Sequence, residues 1–235
     1  MGAWTLVGLL EAAIPLRLTL TRDHVGDVGH LLNVMETEGV QKFYLSPFNY
    51  GGRGHRHRGA DAVYEMTRGV MDRLFDTALR RIKVGETPEF VTGNNDADGA
   101  YLIQWAQRHF PEHVPTLRAK LRQWGSNASG VNMAHIENLG EVHSDIFRGH
   151  YPLGNVRKRS FSSLWFDDKD LLMRGLRQRP RPVTGRCAHC QYLDACNGNM
   201  RVRAHQTTGD FWALDPGCSL QDDEIGLSSP MEIAQ

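Results

Sequence analysis

The run Gly185-Arg186-Cys187-Ala188-His189-Cys190-Gln191-Tyr192-Leu193-Asp194-Ala195-Cys196, with Pro216-Gly217-Cys218 beyond it, holds every cysteine of this 235-residue chain. Two residues between Cys187 and Cys190 let both sulfurs reach one metal or cluster from a single tight turn. Cys196 can return to the same point after another turn, and Cys218 can close the site after an excursion of 21 residues. Thiols concentrated in this way read first as a metal site. Spacing alone leaves the metal open. Structural zinc takes four thiolates, usually from two close pairs, and an iron–sulfur cluster tolerates a distant fourth ligand. Two disulfides are the third reading, and they need an oxidising compartment.

The flanking residues shift that balance. Gly198 and Asn199 supply permissive backbone for a turn after Cys196. Arg186, Arg201 and Arg203 bracket the thiols, where cationic donors offset the negative charge of a cluster. His189 lies between two thiols, but four cysteines already complete a site, so it is expected to be exposed.

The run from Gly185 to Ala204, followed by Thr208-Gly209-Asp210-Phe211-Trp212-Ala213-Leu214-Asp215-Pro216-Gly217-Cys218, resembles the C-terminal cluster domain of radical SAM enzymes. Within them it is most similar to the heme d1 biosynthesis branch, whose C-terminal domain is of the SPASM/twitch type. The resemblance implies an auxiliary 4Fe-4S cluster on Cys187, Cys190, Cys196 and Cys218. Asn197 departs from the pattern, which commonly has a second glycine there. Asparagine tolerates the same left-handed backbone, so the turn is expected to survive.

Composition sets outer bounds. A chain of 235 residues that is 40% hydrophobic can pack one large or two small domains. With 27 basic and 27 acidic residues the formal charge is zero, which points to neither nucleic acid nor a membrane surface as a partner. The apolar segment 1–13 lacks a basic leader and is interrupted by Glu11, with Arg17 close behind, so it reads as neither signal peptide nor membrane span, and the expected location is the cytoplasm.

Further upstream, Trp4–Ala13 reads as a short helix ended by Pro15. Leu16, Leu18 and Leu20 then alternate with polar residues as in a strand. Asp23 is expected to cap a helix carrying Val28, Leu31, Leu32 and Met35, and Phe43-Tyr44-Leu45 gives a second strand. This alternation implies a parallel sheet with crossover helices. The second strand runs into a glycine-bearing loop with the cationic patch Arg53, His55, Arg56, His57 and Arg58, at the strand end where ligands of parallel α/β folds gather. A long helix is expected over Asp61–Lys83, with Val63, Met66, Val70, Leu74, Ala78 and Ile82 as its apolar stripe. A strand at Glu89–Thr92 leads into an acidic run, Gly93–Gly99. That run lacks the closing glutamate of an EF-hand and is expected to cap a helix.

Two helices follow, around residues 100–109 and 114–124, and a polar linker at 125–130. The alternating Met133, His135 and Glu137 around Gly140 read as a hairpin. Asp167 and Asp168 are expected to open a short helix to Leu176, and Arg177–Pro182 forms a basic connection. The expected division is 1–126 and 127–235.

These stretches carry the resemblance nearly the whole way from Leu16, through Leu18–Arg22, Phe43–Ser46, Val91–Asn95, Asn138–His143 and Leu153–Val156. It implies an α/β fold: the C-terminal part of a partial (β/α) radical SAM barrel at 1–126, followed by a small cysteine-rich SPASM/twitch-type α+β domain at 127–235. Enzymes of this kind bind S-adenosylmethionine and a second 4Fe-4S cluster through a CxxxCxxC loop, and no cysteine precedes Cys187. The chain alone is therefore expected not to generate a radical.

The implied chemistry is removal of propionate side chains from a siroheme-derived tetrapyrrole in heme d1 biosynthesis. Arg53, Arg56 and Arg58 are candidates to meet its carboxylates. An electron-donor protein and a second chain supplying the missing half are possible partners. The alternative is a non-catalytic zinc or iron–sulfur scaffold.

Overall fold

A computed structural model describes residues 14–62 and 64–227; the helix expected over Trp4–Ala13, and Val63 of the expected stripe, lie outside them. The described residues fall into two compact units, one within residues 1–48 and 59–93 and one within residues 49–58 and 94–235. This division by packing differs from the one expected at residue 127.

The first unit is a parallel α/β layer. Strand β1 (Leu16–Leu20) pairs with β2 (Lys42–Pro47), which pairs with β3 (Glu89–Thr92), all parallel, with Leu18 opposite Leu45 and Phe43 opposite Phe90. Helix α1 (Asp27–Thr37) crosses from β1 to β2 and buries Val28, Leu32 and Met35, which recur at helical spacing. It starts a turn later than the sequence suggested. Asp23 does not cap it, because the intervening residues form turns in which Thr21 accepts from the amides of His24 and Val25.

The next helix of this unit spans Tyr64–Lys83, and its buried face is Thr67, Val70, Met71, Leu74, Thr77 and Arg81. Met66 and Ile82, expected in the stripe, are 37% and 58% exposed. The apolar residues of this helix spread too widely for one seam, so only the central Val70–Leu74 turn fits and threonines complete it. Arg81 lies along the seam and pairs with Glu86 at its rim.

In the second unit, α2 (Arg53–Arg56) is a single turn. With the Tyr64–Lys83 helix numbered α3, α4 (Ala97–His109) and α5 (Val114–Trp124) follow, the latter ending at Gly125 in the left-handed conformation. A small antiparallel sheet comprises β4 (His135–Ile136), β5 (Glu141–His143) and β6 (Gly154–Asn155). Helices α6 (Phe161–Trp165) and α7 (Leu171–Arg177) bury Trp165, Leu172, Met173 and Leu176 against Phe211 and Trp212.

Asp170, not Asp167 or Asp168, caps α7, its side chain accepting from the Met173 amide. Asp167 instead pairs with Arg159 and accepts from the Lys169 amide. Two short helices, α8 (Leu193–Cys196) and α9 (Arg201–Thr208), complete the fold. Among the described residues no helix is long and apolar enough to cross a membrane.

Candidate metal centre

The four cysteines come from separate local structures that converge. Cys187 sits in a 3-10 turn over Gly185–His189, Cys190 follows it, Cys196 ends α8, and Cys218 closes a turn in which its amide donates to the Asp215 carbonyl at 3.1 Å. All four are free thiols, and all four line one small cavity together with Ala97, Ala100, Leu193, Leu220 and Ile225. The Tyr192 amide donates to Cys190 Sγ at 3.4 Å, and backbone groups of Asp215, Gly198 and Leu220 favour the ionised forms of Cys187, Cys196 and Cys218. In three of the four the group belongs to the second residue after the cysteine.

Burial pushes all four thiols up, Cys218 to about 11 and Cys196 furthest, while these backbone groups pull the other way. The bare thiols therefore hold their protons at neutral pH, and any metal or cluster that binds must expel them.

The turn after Cys196 is unusually bent. Asn197, Gly198 and Asn199 have φ of 45°, 80° and 64°, three left-handed residues in succession. Asn197 occupies the left-handed conformation that the sequence assigned to it. Gly198 has a further reason to lack a side chain, since a Cβ there would meet Val183 Cγ1 at 2.5 Å. The asparagines hold this turn through their side chains. Asn197 Oδ1 accepts from the Arg181 amide at 2.8 Å, Asn199 Oδ1 accepts from the Asp96 amide at 2.7 Å, and Asn199 Nδ2 donates to Asn95 Oδ1.

The acidic run is therefore not the helix cap expected. Asp96 occupies the N-cap position of α4, but its side chain accepts from the Asn127 amide at 3.0 Å instead of capping. Asn95 is committed in turn to Asp98, Asn199 and Arg203.

Arginines surround the thiols, as expected, but Arg201 and Arg203 are buried and Arg186 half-buried. Arg186 lines the cavity, pairs with Asp222 at 2.7 Å and donates to the Leu220 carbonyl. Arg203, fully buried, grips Asp215 with Nε at 2.7 Å and Nη2 at 3.1 Å, and reaches the Asn94 carbonyl and Asn95 Oδ1. Arg201 donates to the carbonyls of Phe211 and Ala213, and the charges of Cys187 and Cys196 act on it.

Sequence reading missed Arg181. It looked like part of a solvated connection, yet it is 2% exposed and donates to the carbonyls of Leu176, Asn199 and Asn127. No local signal separates it from its neighbours; its partners lie up to 54 residues away. His189 is exposed. Arg53, Arg56 and Arg58 are also exposed, the first two on α2, and Arg58 donates to the Gln206 carbonyl.

No family model matches the chain. It is 44% identical over 93% of its length to pre-heme d1 synthase of Dinoroseobacter shibae, and 35% identical over 91% to Fe-coproporphyrin III synthase of Methanosarcina barkeri. It spans about half the length of both curated relatives, 54% in each case. A shorter stretch, 38% of the chain and 23% of the relative, is 34% identical to AdoMet-dependent heme synthase of Nitratidesulfovibrio vulgaris. Among solved structures, native anSMEcpe with bound AdoMet superposes with a TM-score of 0.59 at 13% identity, covering 91% of this chain and 54% of that one. The fold is thus a partial α/β radical SAM fold.

Proposed function

We propose that this chain, a relative of the radical SAM heme synthases, forms the auxiliary-cluster part of an enzyme of heme d1 biosynthesis that removes propionate side chains from a siroheme-derived tetrapyrrole. The observation that carries the reading is the convergence of four sulfurs on one cavity, each with a backbone group that favours its ionised form. Cys187, Cys190, Cys196 and Cys218 would hold a 4Fe-4S cluster, and amides aimed at sulfur are one of the devices by which proteins set a cluster's potential.

The sulfur spacing favours a cluster over zinc. Zn–S bonds of about 2.3 Å place tetrahedral sulfurs about 3.8 Å apart. Among the described residues no three of these sulfurs lie within 4.8 Å of one another. In this reading residues 127–235 form the functional cluster domain.

When bound, such a cluster supplies electron transfer or order to a substrate pocket; fully ligated by cysteine, it offers no open iron to S-adenosylmethionine. The residues of the chain do the rest. Arg201 and Arg181 bring positive charge to the sulfurs, Asp215 holds Arg203 beside them, and Ala97, Ala100, Leu220 and Ile225 keep water away. Radical generation then needs a CxxxCxxC site from outside these 235 residues, on a longer form of the chain or on a second chain. Arg53, Arg56 and Arg58 are assigned to the tetrapyrrole carboxylates, an electron-donor protein is a further partner, and the setting is cytoplasmic.

Anaerobic reconstitution tests this. Iron and acid-labile sulfide in equal amounts, near four of each per chain, support the reading. About one zinc and no sulfide would overturn it in favour of a zinc scaffold. The reconstituted chain with S-adenosylmethionine and a strong reductant is expected to yield no 5′-deoxyadenosine above a protein-free control. Replacing Arg53, Arg56 and Arg58 together by Ala is expected to weaken tetrapyrrole binding, and unchanged binding removes them from the site.

A further inference from the structure

We infer that the β4–β5 hairpin carries a separate, mononuclear site for a divalent cation, formed by Glu137, Glu141 and His143. The hairpin pairs His135 with His143 and Ile136 with Val142, and the Glu137 amide donates to the Glu141 carbonyl at 2.9 Å across the turn. Side chains alternate across a strand, so His135, Glu137, Glu141 and His143 share one face while Val142, fully buried, points to the other. One ligand atom from each of Glu137, Glu141 and His143 lies within 4.8 Å of the other two. Two carboxylates facing each other across a strand pair are mutually repulsive, and among the described residues neither forms an ion pair with lysine or arginine.

The histidine gives the independent sign of a ligand. His143 is fully buried, and its Nδ1 lies 3.2 Å from the Tyr151 carbonyl oxygen. A carbonyl only accepts, so Nδ1 carries a proton, and in the neutral imidazole Nε2 presents a lone pair. That Nε2 has no hydrogen-bond partner and lies 3.9 Å from Glu137 Oε2, too far for a hydrogen bond. A buried acceptor facing carboxylate acceptors is costly alone. A cation between them satisfies all three groups. A ring nitrogen fixed by a backbone carbonyl, with the other free to ligate, is the usual arrangement behind a metal-bound histidine.

Two carboxylates and one imidazole suit manganese, iron(II) or zinc, with the remaining positions open to water or a ligand oxygen. The carboxylates are only half-buried, which leaves that side accessible.

Manganese(II) is the probe, because thiolates prefer softer metals and compete weakly for it. Titration of the full chain, followed by loss of the free-manganese EPR signal, is expected to show one bound equivalent. Glu137→Gln and Glu141→Gln keep shape and lie on a half-exposed face, whereas His143→Ala opens a hole at a fully buried position, so the glutamine variants are the test. Each is expected to weaken binding at least about tenfold, the lower end of what altering even an outer-sphere partner costs. Cys196→Ser is expected to leave manganese binding unchanged, and the glutamine variants to leave iron and sulfide content unchanged. No bound manganese, affinity indifferent to both glutamine variants, or binding lost with Cys196→Ser would each overturn the site.

Discussion

The left-handed turn after Cys196 can be tested with two substitutions at Asn199. This residue is 2% exposed, has φ of 64°, receives the Asp96 amide on Oδ1 and donates from Nδ2 to Asn95. Removing the side chain strands the Asp96 N–H, a buried donor that costs about 1–3 kcal/mol when left unmade. Asn95 Oδ1 suffers less, because Arg203 Nη2 still donates to it at 3.0 Å. Its lost bond adds about 1 kcal/mol.

Alanine carries a further backbone penalty of about 1–2 kcal/mol in the left-handed region, which glycine escapes. Asn199→Ala is therefore expected to cost about 3–6 kcal/mol, and Asn199→Gly about 1–2 kcal/mol less. For a chain of this size each kcal/mol moves Tm by about 2–4 °C, so the alanine variant should fall on the order of 6–24 °C below the parent. Differential scanning calorimetry reads both variants, and iron content after reconstitution reports whether the turn still presents Cys196. If alanine and glycine variants melt together, the backbone argument fails. If both melt with the parent, the hydrogen-bond argument fails as well.

Four shorter expectations follow from the same core. Asp215→Ala leaves Arg203 buried without its carboxylate and is expected to cost about 3–5 kcal/mol, read by urea unfolding; a loss below 1 kcal/mol would show that the pair breaks even. Burial raises the Asp96 carboxyl to about 6, against the opposing pull of Arg181. A carboxyl raised above its unfolded value costs stability as pH climbs from about 4 through 6, so Asp96→Asn should gain on the parent at pH 8 and match it near pH 4, by at most about 3 kcal/mol. A gain independent of pH contradicts that sign. Gly175→Ala in α7 would place a Cβ 2.1 Å from Trp212 Cζ2, and the overpacking of about 1–3 kcal/mol should exceed the helix preference of alanine, so a raised Tm counts against the packing. Cys196→Ser is expected to abolish stoichiometric iron and sulfide in the reconstituted chain; full retention removes this thiol from the cluster.

Much of the first unit was legible because its signals are local. The Leu16, Leu18 and Leu20 alternation and the Val28–Met35 spacing each depend on a few neighbouring residues, and both elements form. The α3 stripe was misread for a physical reason. Apolar residues occupied more than one face, and which face turns inward is decided by the sheet that it meets. Convergence of the four thiols followed from spacing.

What surrounds them did not. Arg148, Arg181, Arg201 and Arg203 are all nearly or wholly buried, and arginine in sequence reads as surface. Their partners include carbonyls and asparagines as distant as Asn94 and Asn95, more than 100 residues before Arg203. The acidic run misled for the same reason, since Asp96 serves the Asn127 amide and not its own helix.

These buried cations bear on why the thiols and the fold belong together. Arg201 is pushed below its ordinary range by burial, with Asp215 opposing that push most and Cys187 and Cys196 next. Arg181 is lowered to about 10, again by burial, and Asp96 and Cys196 are the groups that oppose it. One Arg201 nitrogen, Nη2, has no hydrogen-bond partner and stands 4.0 Å from Asp215. Asp215 is already gripped by Arg203 through both oxygens, so it cannot serve Arg201 equally well. The remaining negative charge within reach is that of Cys187 and Cys196 as thiolates. Burial raises the thiols and lowers the guanidiniums, and ionised together they relieve each other. Whatever metal group takes the protons from the sulfurs therefore also stabilises Arg201 and Arg181, and through Asn197, Asn199 and Asp215 the turn that presents Cys196. Loading of the centre and stability of the second unit should rise together.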